Sequence, residues 1–256
     1  MRLTRVYVQA GLHSGGSIEL ARDTASHLAR VLRARSGDEL LLFDGNGAEF
    51  AGVVETVRGA RVTVSIGSAR TVDRESPLAV TLIQCVPRGD RMDFIVQKAT
   101  ELGVARIVPV LSQRSVVRLD AAQAASKQLH WQAVAISACE QCGRNRLPLL
   151  EPAQALLNYL GALEPAAPGR LRWVLEPDEI ADPPAPTGMG PVGGVVGGVE
   201  FAIGPEGGFA PDELEALRLC GFVRRGLGPR VLRTETAAIA ALVMLQTLFG
   251  DMSTLR

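Results

Sequence analysis

The sequence predicts an α/β protein in two parts: a small β-barrel domain over residues 1–74, and a parallel sheet covered by helices over residues 75–256. Three observations predict it. The first seventy or so residues hold short Val-, Leu- and Phe-rich runs with one helix among them. From about Leu78 strand-like and helix-like runs alternate, as a parallel sheet with helices on both faces requires. Between the two patterns lies Val72 to Pro77, polar and ending in proline.

In the first part the predicted strands are Arg5 to Val8, Glu39 to Phe43, Ala48 to Val57 and Arg61 to Ile66. Asp44-Gly45-Asn46-Gly47 joins two of them as a hairpin turn. A helix from Thr24 to Arg33 would place Leu28, Val31 and Leu32 on its core side. In the second part the strands are Leu78 to Val86, Arg106 to Leu111, Leu171 to Leu175, Glu200 to Ile203 and Phe222 to Leu227. The helices are Asp90 to Leu102, Ala121 to Cys139, Ala153 to Leu160, Pro211 to Cys220 and Thr234 to Phe249. Pro211 at a helix start and Gly221 just past its end show the usual asymmetry of helix termini. Ala237 to Leu245 is apolar at every position, so the last helix is buried, inside the core or against a second subunit. Pro183 to Gly198, rich in Pro and Gly, reads as a flexible loop without chemistry.

With 47% hydrophobic residues in 256, the chain can bury an ordinary core. No run approaches the length of a membrane span, and Met1 to Ala10 has no signal-peptide core, so a cytoplasmic protein is expected. Four cysteines are too few for a disulfide framework. Cys139 and Cys142 form a C-x-x-C without a second ligand pair, which reads as two thiols on a helix, and no metal is expected. Net charge is zero, but 25 of the 27 basic residues are arginine. Arg218, Arg224, Arg225, Arg230 and Arg233 fall within one stretch that holds no acidic residue. That stretch suits RNA or an anionic group, or else a solvated surface; charge alone leaves the two even.

Two glycine-containing loops each follow a strand and open a helix: Ile203-Gly204-Pro205-Glu206-Gly207-Gly208, and Leu227-Gly228-Pro229-Arg230-Val231-Leu232-Arg233-Thr234-Glu235-Thr236. Strand ends of an open α/β sheet are where ligands bind. Neither loop has the spacing of a phosphate cradle, and Glu206 would repel a phosphate there. A neutral or cationic ligand carrying adenine and ribose suits them better. Two tight turns with glycine for geometry alone are the competing reading.

Gln97 to Val104, Glu140-Gln141-Cys142-Gly143-Arg144, Ile203 to Gly208, and Leu227 to Thr236 resemble, in this order, the signature segments of the RsmE family, and the resemblance spans nearly the whole chain. It implies an S-adenosyl-L-methionine-dependent methyltransferase acting on N3 of a uridine in 16S ribosomal RNA of the small subunit. It also implies a PUA-like RNA-binding barrel followed by a SPOUT-type α/β domain with a trefoil knot, and a homodimer. The implied cofactor pocket is Leu175, Ile203, Gly204, Pro205, Glu206, Gly207, Leu227, Gly228, Leu232, Arg233 and Thr236. Arg233, Arg144, Glu140 and Arg230 are the implied catalytic residues, with Gln141 beside them. Arg5, Arg30, Arg33, Arg88 and Arg114 are the implied RNA contacts. Cys142 stands where the family more usually has serine, and the Pro183 to Gly198 stretch is longer than usual.

Methylation of uridine N3 needs a proton removed and charge on the base stabilised, for which Glu140, Glu206 and Glu235 are all open as acceptors and arginines supply the stabilisation. Glu235 reads rather as a cap of the last helix. Two other readings compete. A non-catalytic RNA-binding dimer would need no pocket at the glycine loops. A nucleotide-dependent Rossmann enzyme would need a phosphate motif where Cys85-Val86-Pro87-Arg88-Gly89-Asp90 has none. His13, His27 and His130 read as structural.

Overall fold

The computed structural model describes residues 3–176 and 196–252. The chain divides into two compact units: Met1–Glu75 with Ile136–Leu147, and Ser76–Ala135 with Pro148–Arg256. Most of the Pro183 to Gly198 stretch, residues 183–195, lies outside the described residues.

The first unit is a five-stranded sheet in the order β1-β3-β4-β5-β2. Its strands are β1 (Thr4–Tyr7), β2 (Ser17–Glu19), β3 (Glu39–Phe43), β4 (Ala48–Arg58) and β5 (Arg61–Thr71). β1 runs parallel to β3, and the remaining pairs are antiparallel. The β3–β4 turn needs left-handed backbone at Gly45 (φ 87°) and Gly47 (φ 102°), and Asp44 Oδ1 accepts the Asn46 N–H at 3.0 Å. Val6, Leu28, Leu40, Leu42, Val54 and Val64 belong to one core. The sheet path leaves β1 and β2 as its two edges. β2 has no forerunner in the sequence pattern: three residues are too short for alternation to register. The helix also ends sooner than expected. α1 spans Arg22–Arg30, so Val31 and Leu32 lie past its end and are 64% and 46% exposed rather than on a core face.

A buried ion network holds this unit to its second piece. Arg5 donates to Glu49 at 2.7 Å, to the Arg144 carbonyl at 3.2 Å and to Asn145 Oδ1. Arg144 pairs with Glu75, and Arg74 bridges Glu49 and the Gly143 carbonyl. Arg5, Glu49, Arg144 and Asn145 are all under 9% exposed. Removing one member of such a network would strand a buried charge.

The second unit is a parallel sheet in the order β12-β10-β11-β6-β7-β8, with β9 also on β7. These strands are β6 (Ala79–Cys85), β7 (Arg106–Leu111), β8 (Leu149–Leu150), β9 (Gln154–Ala155), β10 (Arg170–Leu175), β11 (Gly198–Ile203) and β12 (Val223–Arg225). Helices lie on both faces, and the period-two alternation of the strands decides which residues meet which helices. Val80, Leu82, Ile107, Trp173 and Phe201 pack with α2 (Arg91–Glu101), the first part of α3 (Ala121–Cys142) and α6 (Thr234–Phe249). Ile83, Cys85, Val108, Val174 and Ala202 face the other way, against α4 (Leu156–Gly161) and α5 (Pro211–Leu219). β8 and β9 are too short to be told from loop in the sequence, and β9 takes the residues expected to open α4.

Within the single chain the last helix is covered on one side only, so of the two expectations for it burial wholly inside the core does not hold. Ala238, Ala241, Leu242 and Leu245 are buried, but Val243 and Leu248 are 41% and 43% exposed, and Thr236 and Thr247 are exposed beside them. α6 therefore carries an uncovered apolar stripe within the single chain. No helix among the described residues is long and apolar enough to cross a membrane.

Candidate functional site

Parallel strands present the ends of β10 and β11 on one side of the sheet, and the two glycine loops gather there. They surround a cavity of about 420 Å³, within the range of small-molecule sites. Leu175 and Ile203 come from strand ends, and Gly204, Pro205 and Glu206 from the first loop. Leu227, Gly228, Leu232 and Arg233 come from the second, together with Arg230 and Val231. Nine of the eleven residues expected at a cofactor pocket thus line one cavity.

Gly207 and Thr236 do not line it. Gly207 turns toward Arg114, whose Nη1 donates to the Gly207 carbonyl at 3.0 Å. Thr236 lies on the exposed side of α6, while Thr234 and Ala237 face the cavity instead. The helical phase, which the loop sequence does not set, makes that choice. Gly208, the end of the first glycine loop, also lines the cavity, as do Arg91 and Glu176, which lie outside both loops. Glu176 directly follows Leu175, which is the one signal the sequence offered for it.

The cavity is shaped to admit a ligand near backbone. At Gly228 (φ 87°) a Cβ would meet nothing within 4 Å, so the left-handed turn leaves open space along the wall. At Gly204 a Cβ would lie 3.3 Å from the Phe209 ring, so this glycine lets the loop close onto Phe209 rather than clearing room for a ligand. α5 fixes the far end of the loop: Glu213 Oε1 accepts the Gln113 N–H at 2.8 Å and Oε2 accepts the Ala210 N–H at 2.9 Å.

Two carboxylates face the cavity. Glu206 is paired with Arg91 at 2.8 Å, so its charge is largely neutralised. Burial pushes the Glu176 carboxyl up, against the pull of Arg224 and Arg114. Glu235 does not cap α6 through a side-chain hydrogen bond; it sits in the first turn with Oε1 3.9 Å from Arg91 Nε. Its acidic charge there still complements the helix dipole.

The other expected site residues fall in different settings. Arg230 and Arg233 are exposed at the cavity, and Arg88 and Arg114 are exposed elsewhere in the second unit. Arg30 and Arg33 are exposed on the first unit, whereas Arg5 is buried in the ion network. Glu140 and Arg144 belong to the first unit. Arg144 is 4% exposed and engaged with Glu75. Burial raises the Glu140 carboxyl, opposed by the Tyr7 N–H that Oε1 accepts at 3.0 Å and by His27 and Arg5. Gln141 lies in the last turn of α3. Cys139 and Cys142 both lie on α3 and are not joined in a disulfide. Among the described residues no cluster of His, Cys, Asp or Glu could hold a metal ion.

Comparison with known proteins gives one consistent picture. A family model described as an RNA methyltransferase domain matches residues 74–246, and one described as an RNA methyltransferase PUA domain matches residues 20–66. Ribosomal RNA small subunit methyltransferase E of Buchnera aphidicola is 31% identical over 252 residues, covering 98% of this chain and 99% of its own. The protein of the same name from Mycobacterium bovis is 32% identical over 240 residues, covering 92% and 88%. Among solved structures, a putative methyltransferase from Legionella pneumophila in complex with the cofactor SAM superposes with a TM-score of 0.86 at 38% identity, covering 98% of this chain and all of the other. Ribosomal RNA small subunit methyltransferase E from Neisseria gonorrhoeae, bound to S-adenosyl methionine, gives 0.83 at 36% identity, covering 98% and 99%.

Proposed function

The chain belongs to the RNA methyltransferase family that includes the ribosomal RNA small subunit methyltransferases E, and on that premise we propose that it methylates N3 of a uridine in 16S ribosomal RNA with S-adenosylmethionine as donor. The observation that carries the proposal is the cavity between the two glycine loops. Its apolar walls at Leu175, Ile203, Leu227 and Leu232 and its open backbone at Gly228 suit an adenosyl group. The missing cradle motif disfavours a pyrophosphate. When bound, S-adenosylmethionine supplies an electrophilic methyl group on a sulfonium.

The chain's own residues then have three tasks. The loops hold the nucleoside against the ends of β10 and β11. Arg230 and Arg233, exposed at the cavity, stabilise negative charge on the target base and hold RNA phosphate. The N3 proton goes to a carboxylate, a role open to Glu206 and Glu235 of the second unit and to Glu140 of the first. Arg144 supports that region through its pair with Glu75, and Arg5 acts as a buried tie rather than an RNA contact. Arg30, Arg33, Arg88 and Arg114 are the exposed cations assigned to RNA.

The domain reading is a PUA-like RNA-binding barrel over residues 1–74 and a SPOUT-type domain with a trefoil knot over residues 75–256, acting in the cytoplasm on the small ribosomal subunit. The protein works as a homodimer paired through α6, whose Val243 and Leu248 are uncovered in the single chain. Sedimentation equilibrium should then give a mass near twice 27.2 kDa, and a monomer mass would refute the pairing.

The reaction is tested by mass spectrometry of 16S ribosomal RNA from a deletion strain, incubated with enzyme and isotopically labelled S-adenosylmethionine. One added methyl on one uridine, resistant to Watson–Crick pairing at N3, is expected. Label on another base or another RNA would refute the assignment.

A further inference from the structure

The end of β6 carries a side chain that is absent from the cavity wall yet bonded to one that forms it. Gln84 is fully buried. Its Nε2 donates to the Cys85 carbonyl at 2.9 Å and to Thr234 Oγ1 at 2.9 Å. Thr234, the first residue of α6, donates its own hydroxyl proton to the Gly204 carbonyl at 3.2 Å. Thr234 and Gly204 both line the cavity.

The direction of this relay is set by elementary bookkeeping of donors. A threonine hydroxyl has one proton; given to the Gly204 carbonyl, it leaves only lone pairs to face Gln84. A rotated Gln84 amide would set its oxygen against the Cys85 carbonyl, acceptor on acceptor. Both amide protons are therefore used, and Gln84 Oε1 is left buried without a partner. A buried, unpaired carbonyl is costly, and an apolar side chain of the same size would avoid it. Glutamine at this position makes sense when its donors are needed. On its opposite side Gly204 is held by Phe209, whose ring would lie 3.3 Å from an added Cβ. The loop is gripped from both sides.

We infer that Gln84 is a positioning residue of the cofactor site, acting through Thr234 Oγ1 on the Gly204 carbonyl so that the first glycine loop and the start of α6 keep one fixed spacing. The inference rests on the cofactor reading given above. The relay joins three segments far apart in sequence, β6, the loop after β11 and α6, at the point where the adenosyl group would sit. Without it the loop and the helix start must be ordered by the ligand itself, which lowers affinity. Turnover at saturating cofactor changes much less, because the bound state restores the spacing.

The test uses the full-length chain with S-adenosylhomocysteine as calorimetric probe and S-adenosylmethionine in kinetics. Gln84→Met and Thr234→Val should each raise Kd for the probe, and KM for the cofactor, about tenfold, while kcat of Gln84→Met stays within about twofold. Thr234→Ser, which keeps the hydroxyl, should recover most of the affinity lost in Thr234→Val. In the double variant the two losses should fail to add, since both break one relay. Affinities like wild type in folded Gln84→Met and Thr234→Val, or losses that add fully, overturn the inference while leaving the cofactor reading intact. A wild-type protein that does not bind the probe overturns both. Should Gln84→Met fail to fold, Thr234→Val and Thr234→Ser decide the question alone.

Discussion

Arginine serves two opposite ends in this chain, and one example from each unit shows the difference. In the first unit Arg5 and Arg144 are buried, and their donors are spent on Glu49, Glu75, Asn145 and a backbone carbonyl. In the second, Arg230 and Arg233 stand exposed around a cavity. One residue type, dominant in the composition, is structural cement in one place and available cation in the other. Burial beside carboxylate partners marks the first use, although Arg5 Nε itself has no partner, and exposure beside concave apolar surface marks the second. A count of arginines carries neither message.

The contrast is broken most directly at the buried network. Glu49→Ala leaves Arg5 without its carboxylate partner and should destabilise the first unit by about 3–5 kcal/mol, read from urea denaturation. A loss below about 1 kcal/mol would show that the network is not what holds the two pieces together. Next in size, Arg233→Ala should lower methylation of 16S ribosomal RNA about a hundredfold with almost no change in melting temperature. An equal fall in stability would place Arg233 with the buried class.

Acid gives a smaller, signed effect. Burial alone would raise the Glu49 carboxyl, but hydrogen bonds from Arg5 and Arg74 outweigh it and hold the group below its ordinary 4.5. A depressed folded value means that this stabilisation is present above the ordinary carboxylate range and is lost as pH falls through the folded value. Glu140, raised by burial, contributes in the opposite sense: its share is present in acid and lost as pH rises through its folded value. The stability gap between wild type and Glu49→Gln should therefore narrow as pH falls from about 6 to 3. A gap that does not change with pH would remove Glu49 ionisation from the account. Smallest of all, Arg30→Ala should reduce the salt slope of RNA binding by about one and leave the fold untouched.

What the sequence made legible follows from locality. The Asp44–Gly47 turn, the start of α5 at Pro211 and both glycine loops are each written in adjacent residues, and adjacent residues set local dihedrals. The parallel sheet was legible through its alternation with helices. Arg91, Glu176 and Gln84 were not, because each is a lone polar residue at the end of a different element, and only crossover connections bring them to one place. Thr236 was chosen over Thr234 because a loop motif does not state where helical phase begins. Val31 and Leu32 do not reach the core face because apolar periodicity continues two residues beyond the helix. The membership of Ile136–Leu147 in the first unit was hidden most deeply: Arg5 and Asn145 meet across 140 positions, and no local pattern encodes that.

That split membership also sets a schedule for synthesis. The first unit is incomplete until residue 147, the end of its second piece, has been made, which is 147 − 75 = 72 residues after the end of its first piece. At about 5–20 residues per second the wait is roughly 4–14 s. For that interval Arg5 and Glu49 have each other but not the backbone and amide oxygens that complete their shell. The amino-terminal segment, first to emerge, is thus not free to finish first, and it matures only after β6 and β7 of the second unit's sheet have been translated.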